Sequence, residues 1–161
     1  MGAPKDDLAA IAAVSGLLAD YAACIDADAL EAWPDFFAED AQYRITTARN
    51  HAAGLPIGIV YADNRAMLED RVAALRDANI YEAQSYRHIV SMVRITARNG
   101  VTVEAETNFM VVRTMIDGTQ DLFATGRYLD RIDFSGNRPR FMEKLVVLDS
   151  EKVDTLLAIP L

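Results

Sequence analysis

From Tyr86 to Asp149, apolar and polar positions alternate in runs separated by Asn99-Gly100, Asp117-Gly118 and Ser135-Gly136. Asn-Gly and Asp-Gly supply the positive φ of tight hairpins, so the pattern predicts a four-strand antiparallel meander. Val101, Val103, Ala105, Thr107, Phe109 and Val111 fall on one face, and Thr102, Glu104, Glu106 and Asn108 on the other. The next run sets Leu122, Ala124, Gly126 and Tyr128 against Asp121, Thr125 and Arg127, with Gly126 placed for a bend or bulge. The last run, 138–149, alternates less cleanly, and Pro139 belongs at a strand end or edge. A curved sheet with one apolar face needs a cover.

The first half of the chain provides it. Leu8, Ile11, Val14, Leu18, Tyr21 and Ile25 recur at helical spacing, which predicts a helix capped by Asp6 or Asp7 and ending near Asp26. Asp28 and Glu31 have capping-box spacing for a short second helix carrying Leu30 and Trp33, which Pro34 should interrupt at Trp33. Trp33, Phe36 and Phe37 read as a hydrophobic plug at one end of the core. Residues 42–47 alternate as a strand, 50–56 read as a loop, and 57–61 as a short strand. Asp63 then caps a third helix through Met67, Leu68, Val72, Leu75 and Ala78, with Asn79 as its stop. The order predicts an α+β class with helices on the concave side of a bent sheet.

Composition narrows the function. A chain of 161 residues with 52% hydrophobic content suits one domain, 1–161, with a single core. The net charge of -8 disfavours an electrostatic grip on nucleic acid or anionic lipid. The one cysteine, Cys24, forbids an internal disulfide and fits a reducing compartment. No signal-peptide pattern and no apolar run of membrane-spanning length is evident, so the expectation is a cytoplasmic protein. No phosphate-binding glycine loop, zinc spacing or nucleophile elbow occurs. The apolar residues Leu156, Leu157, Ile159 and Leu161 are expected to pack into the mouth of the fold or into a neighbouring subunit.

Four segments then carry a resemblance: Trp33-Pro34-Asp35-Phe36-Phe37-Ala38-Glu39-Asp40-Ala41-Gln42-Tyr43, His51 through Gly54-Leu55, Met67-Leu68-Glu69-Asp70-Arg71-Val72, and Tyr86-Arg87-His88-Ile89. In order and spacing they resemble the small (β) subunits of aromatic-ring-hydroxylating dioxygenases. Gly58 to Asp63, Ala78 to Glu82, Phe109 to Arg113 and Ala158 to Leu161 resemble most the branch containing terephthalate dioxygenase and salicylate 5-hydroxylase small subunits. The resemblance implies the cone-shaped fold of ketosteroid isomerase, scytalone dehydratase and nuclear transport factor 2. It also implies a structural subunit without cofactor or metal of its own, partnered with a large (α) subunit that holds a Rieske iron-sulfur cluster and a mononuclear iron. The assembly implied is a homotrimer or a three-plus-three hetero-oligomer. A Rieske centre needs two Cys and two His, and one cysteine cannot supply it.

The same likeness offers a rival reading, a stand-alone dehydratase or isomerase. Asp26, Tyr43 and His88 resemble the scytalone dehydratase pattern, in which a carboxylate orients a histidine base and a tyrosine polarises a carbonyl. The dehydratase also uses a second histidine on the next strand, and residues 101–116 contain none. As a structural subunit, the chain has no catalytic residue, and the candidate interface residues are His51, Arg71, Arg87, Leu157, Ile159 and Leu161.

Overall fold

The computed structural model describes residues 4–78, 83–152, 157 and 159–161. Helix α1, Pro4–Asp26, starts before the expected caps and buries Val14, Leu17, Leu18, Tyr21 and Ile25. Contrary to the sequence reading, its segment Leu8–Asp26 is long and apolar enough, by length and composition alone, to cross a membrane. Its apolar stripe packs across strands β3 (Gln84–Val90) and β4 (Arg94–Asn99) instead. The helix ends with Asp28 at φ 55, a left-handed position that a short polar side chain tolerates.

The next element corrects the expected capping box. A 3-10 helix, Leu30–Phe36, begins after Ala29 with no side-chain cap and runs through Pro34 without stopping. Asp28 and Glu31 serve a long-range purpose. Both grip Arg76 of α3 (Arg65–Ala78), with Nη1 at 3.0 Å from Asp28 Oδ1 and Nε at 2.7 Å from Glu31 Oε1. Hydrogen bonds from Arg76 hold the Glu31 carboxyl at about 2. Local spacing satisfied the cap rule, but a guanidinium offering a paired set of donors outcompetes one backbone amide.

Strand β1, Phe37–Thr47, begins five residues before the expected start, because register breaks between Phe37 and Gln42 and with it the alternation. Helix α2, Ala48–Ala52, replaces part of the predicted loop; the Thr47 hydroxyl caps it by accepting the Asn50 N–H at 3.2 Å. The expected strand at 57–61 shrinks to β2, Val60–Ala62. Asn64, not Asp63, accepts the Met67 N–H at the start of α3, while Asp63 accepts from Tyr61 and Gln42. Asn79 lies outside the described residues.

The remaining strands are β3 (Gln84–Val90), β4 (Arg94–Asn99), β5 (Thr102–Met115), β6 (Gln120–Asp133) and β7 (Arg140–Leu148). The sheet order is β2-β1-β7-β6-β5-β3, with β4 also on β5 and β1 parallel to β7. The predicted meander therefore needs correction, since its first run is two strands lying end to end on β5. Between Val90↔Phe109 and Arg94↔Glu106, three residues face two, and a second register shift follows Ile95. Each extra residue bends the strand and tightens its twist, which curls the sheet into a cup. Pro139 stands just outside β7, as expected.

The alternation holds within β5, where Val103, Ala105, Thr107, Phe109 and Val111 are buried, but Val101, expected on the same face, precedes the strand and is 53% exposed. On β6 it fails at one place. Val111 pairs with Ala124 but Val112 with Leu122, so Phe123 is an extra residue and the phase flips. Leu122, expected inside, is 61% exposed, while Phe123 stacks on Tyr86 with ring centroids 4.8 Å apart. The bulge sits there and not at Gly126.

Candidate functional site

Aromatic side chains fill the cup. Trp33 meets Tyr43 at 5.2 Å and Phe37 at 5.5 Å, Phe37 meets Phe141 at 5.4 Å, and Phe109 stacks on Tyr128 at 4.3 Å. Trp33 and Phe37 belong to the core outright, with Phe36 half-buried against them. Edge-to-face packing over so many rings gives the interior both volume and directional preference.

The fold brings Asp26 and His88 together across 62 positions of the chain, one at the end of α1 and one on β3. His88 Nδ1–H donates to Asp26 Oδ1 at 2.6 Å, and the His88 backbone N–H donates to the same carboxylate at 3.0 and 3.2 Å. The imidazole is fully buried and its Nε2 has no hydrogen-bond partner among the described residues. Arg87, largely exposed, approaches Asp26 to 4.0 Å. Asp26 thus secures the β3 edge to α1 and fixes the ring orientation. Asp26→Ala leaves a backbone and a ring donor buried without acceptors, an expected loss of about 2–3 kcal/mol. Chemical denaturation read by circular dichroism checks it; an unchanged midpoint would show that the contact contributes nothing.

Tyr43 does not join that pair. Its hydroxyl both donates to the Leu161 main-chain oxygen and accepts the Leu161 N–H, each at 3.1 Å. Tyr21 adds a second donor to the same oxygen at 2.7 Å. Burial pushes the Tyr43 phenol up to about 12, and burial raises Tyr21 well above its usual range. Arg71 Nη2 donates to the Leu157 carbonyl at 3.0 Å, so this candidate interface cation points to the tail of its own chain. Ile159, Pro160 and Leu161 are buried in the mouth and Leu157 is half-buried, while Leu156 lies outside the described residues. His51 sits half-buried on α2. A cleft of about 250 Å³ opens between α1 and β3, lined by Asp26, Gln84, Tyr86 and Ile159, and neither Tyr43 nor His88 is among its lining residues.

Sequence reasoning passed over the most unusual pair in the molecule. Lys144 and Asp130, both 0% exposed in their side chains, meet at 3.2 Å inside the core. The ammonium lies 3.6 Å from the centre of the Tyr128 ring, 4.5 Å from Phe141 and 4.6 Å from Tyr21. Burial pulls Lys144 down to about 8 and pushes Asp130 up to about 6, each partly offset by the other's charge. For Asp130 the available signal was the alternation, since it continues the inward series from Tyr128; Lys144 is placed only by its pairing with Tyr43 across β1 and β7.

Among the described residues the donor sets do not fit iron. No group of three or more His, Cys, Asp or Glu is placed to hold a metal among the described residues. With a single cysteine and two histidines, the chain cannot ligate a Rieske cluster, and His88 already spends Nδ1 on Asp26.

Comparison with known proteins gives a concordant result. A family model described as ring hydroxylating beta subunit matches residues 21–155. Over 148 residues the chain is 45% identical to the terephthalate 1,2-dioxygenase terminal oxygenase component subunit beta 1 of Comamonas sp., covering 92% of this chain and 96% of the relative. It is 40% identical to the anthranilate 1,2-dioxygenase small subunit of Burkholderia cepacia, covering 88% of each. A crystal structure from Novosphingobium aromaticivorans, described as the beta subunit of an aromatic-ring-hydroxylating dioxygenase, superposes with a TM-score of 0.89 at 35% identity, over 96% of this chain and 99% of that one. Naphthalene 1,2-dioxygenase, at 16% identity and a TM-score of 0.70 over 91% of this chain and 83% of that one, shares the fold alone. With the sequence matched across most of its length and the cup of helices and mixed sheet in place, the chain belongs to the ring hydroxylating beta subunit family.

Proposed function

We propose that the chain is the structural small subunit of a cytoplasmic Rieske-type oxygenase that hydroxylates an aromatic carboxylate. It stands beside a large subunit that carries the iron-sulfur cluster and the mononuclear iron, in a three-plus-three assembly. The observation that carries this reading is the 45% identity to a terephthalate dioxygenase beta subunit across 92% of the chain. Supporting it, aromatic rings and the segment Ile159–Leu161 occupy the interior of the cup among the described residues. His51 and Arg87 remain candidate contacts with neighbouring subunits.

Co-expression with the large subunit tests the proposal. The two should co-purify at equal stoichiometry, and oxygenase activity should fall at least tenfold when the small subunit is omitted. Separate elution, with activity indifferent to this chain, would overturn it. The Asp26–His88 contact at 2.6 Å favours a second reading, a stand-alone dehydratase or isomerase. Turnover of a hydrophobic carbonyl compound by the isolated chain, lost in His88→Ala, would establish that reading.

A further inference from the structure

The turn that joins β6 to β7 carries two arginines without a counter-charge. Arg138 and Arg140 flank Pro139 and line one cleft of about 640 Å³ together with Asp133, Ser135, Gly136 and Asn137. Neither guanidinium forms an ion pair among the described residues, although the chain is acidic at -8 and Arg65, Arg76, Arg94 and Arg113 all reach carboxylates. Arg138 donates to a main-chain oxygen, that of Asp35, at 3.3 Å. Arg140 is half-buried, and its Nε–H is buried with no hydrogen-bond partner among the described residues.

The acids nearby are already engaged. Asp133 lies opposite Arg140 in the strand register, yet its oxygens accept the Ser135 N–H at 3.0 Å and the Ser135 hydroxyl at 2.7 Å. Those bonds hold its carboxyl below the usual range. Asp35, whose main chain meets Arg138, gives its carboxylate to Arg65 at 2.8 Å. A guanidinium N–H buried without an acceptor leaves a desolvation cost uncompensated, and an anion against the Nε edge of Arg140 removes it. Two guanidinia offer more donors than one planar carboxylate accepts, whereas a tetrahedral oxyanion presents oxygens in several directions. The overall charge of -8 repels polyanions, which limits the ligand to a single small group.

We propose that the β6–β7 turn binds a small, doubly charged tetrahedral oxyanion, either free phosphate or the phosphoryl end of a small ester, through Arg138 and Arg140. Arg140 offers Nε–H and an adjacent Nη–H as a fork, and Arg138 adds the second charge. The backbone N–H groups of Gly136 and Asn137, which make no hydrogen bond among the described residues, belong to the same cleft wall.

The probe is inorganic phosphate, titrated into the isotope-labelled full chain at constant ionic strength with chloride as the balancing ion. Nuclear magnetic resonance shifts at residues 135–140, with the Arg140 Nε–H among them, should saturate with a Kd in the millimolar range or tighter. Arg138→Gln, a change on the exposed part of the turn, should weaken binding at least tenfold in a chain shown to be folded by circular dichroism. Arg140→Gln should do the same. Phenyl phosphate in place of phosphate separates the two sources: tighter binding assigns the ester, weaker binding the free ion, and both support the site. Absence of saturable shifts, shifts confined to other parts of the chain, an equal response to chloride, or unchanged binding in folded Arg138→Gln would overturn the proposal.

Discussion

Lys144→Met is expected to destabilise the fold by about 3–5 kcal/mol, because it strands the Asp130 carboxylate in a fully buried site. At this chain length that corresponds to a fall in Tm on the order of 10 °C, readable by calorimetry. Replacing both partners, Asp130→Leu with Lys144→Met, should recover most of the loss, since an apolar pair needs no counter-charge. The pH dependence has a definite sign for each group. Asp130 ionises at 3.8 unfolded and about 6 folded, so the folded state holds the extra proton in between and stability falls as pH rises through that window. Lys144 keeps its proton to 10.5 unfolded and loses it at about 8 folded, so stability recovers as pH rises from 8 to 10.5. Relative to the double apolar variant, the native chain should therefore be least stable from about pH 6 to 8. A difference curve without that trough would show that the pair does not titrate as its burial dictates.

Gly126→Ala is the second large effect. A Cβ there would stand 2.1 Å from the Val147 carbonyl oxygen and 3.1 Å from the Phe109 ring. The oxygen belongs to the backbone of the neighbouring strand β7, so no rotamer change relieves the clash and the β6–β7 ladder must separate locally. The expected cost is about 3 kcal/mol or more, at the upper end of overpacking changes. Thermal unfolding of the purified variant measures it. Wild-type stability would mean that the two strands can part at this point without loss.

Much of this architecture was legible in the residues. The heptad-like stripe of α1 and the strict alternation of β5 were both visible because one face of each is buried and the other wet, so period alone reports the element. The exceptions share a cause. Phe123 on β6 and the extra residue between β3 and β4 are single-residue insertions that flip phase, the break after Phe37 sets four residues against one, and no local propensity marks any of them. Asp28 and Glu31 satisfied a local rule yet serve Arg76, a partner 45 or more positions away. The site was readable in part. Asp26 and His88 do meet, whereas Tyr43 turns to Leu161, a contact set by how the tail threads the mouth. Lys144 escaped notice because a lysine in a strand normally signals solvent, and only the strand pairing reveals which way it faces.

The parallel pairing of β1 with β7 also sets the order in which the molecule can assemble. During synthesis β1 leaves the ribosome early, but the flank it offers to β7 must wait for almost the whole polypeptide to emerge. The hairpins from β3 to β7 close over short loops and can form first, as a preassembled wall. Closure of the barrel-like cup is then a late, long-range event, and during the interval the aromatic face of β1 is a surface that nascent-chain chaperones would have reason to hold.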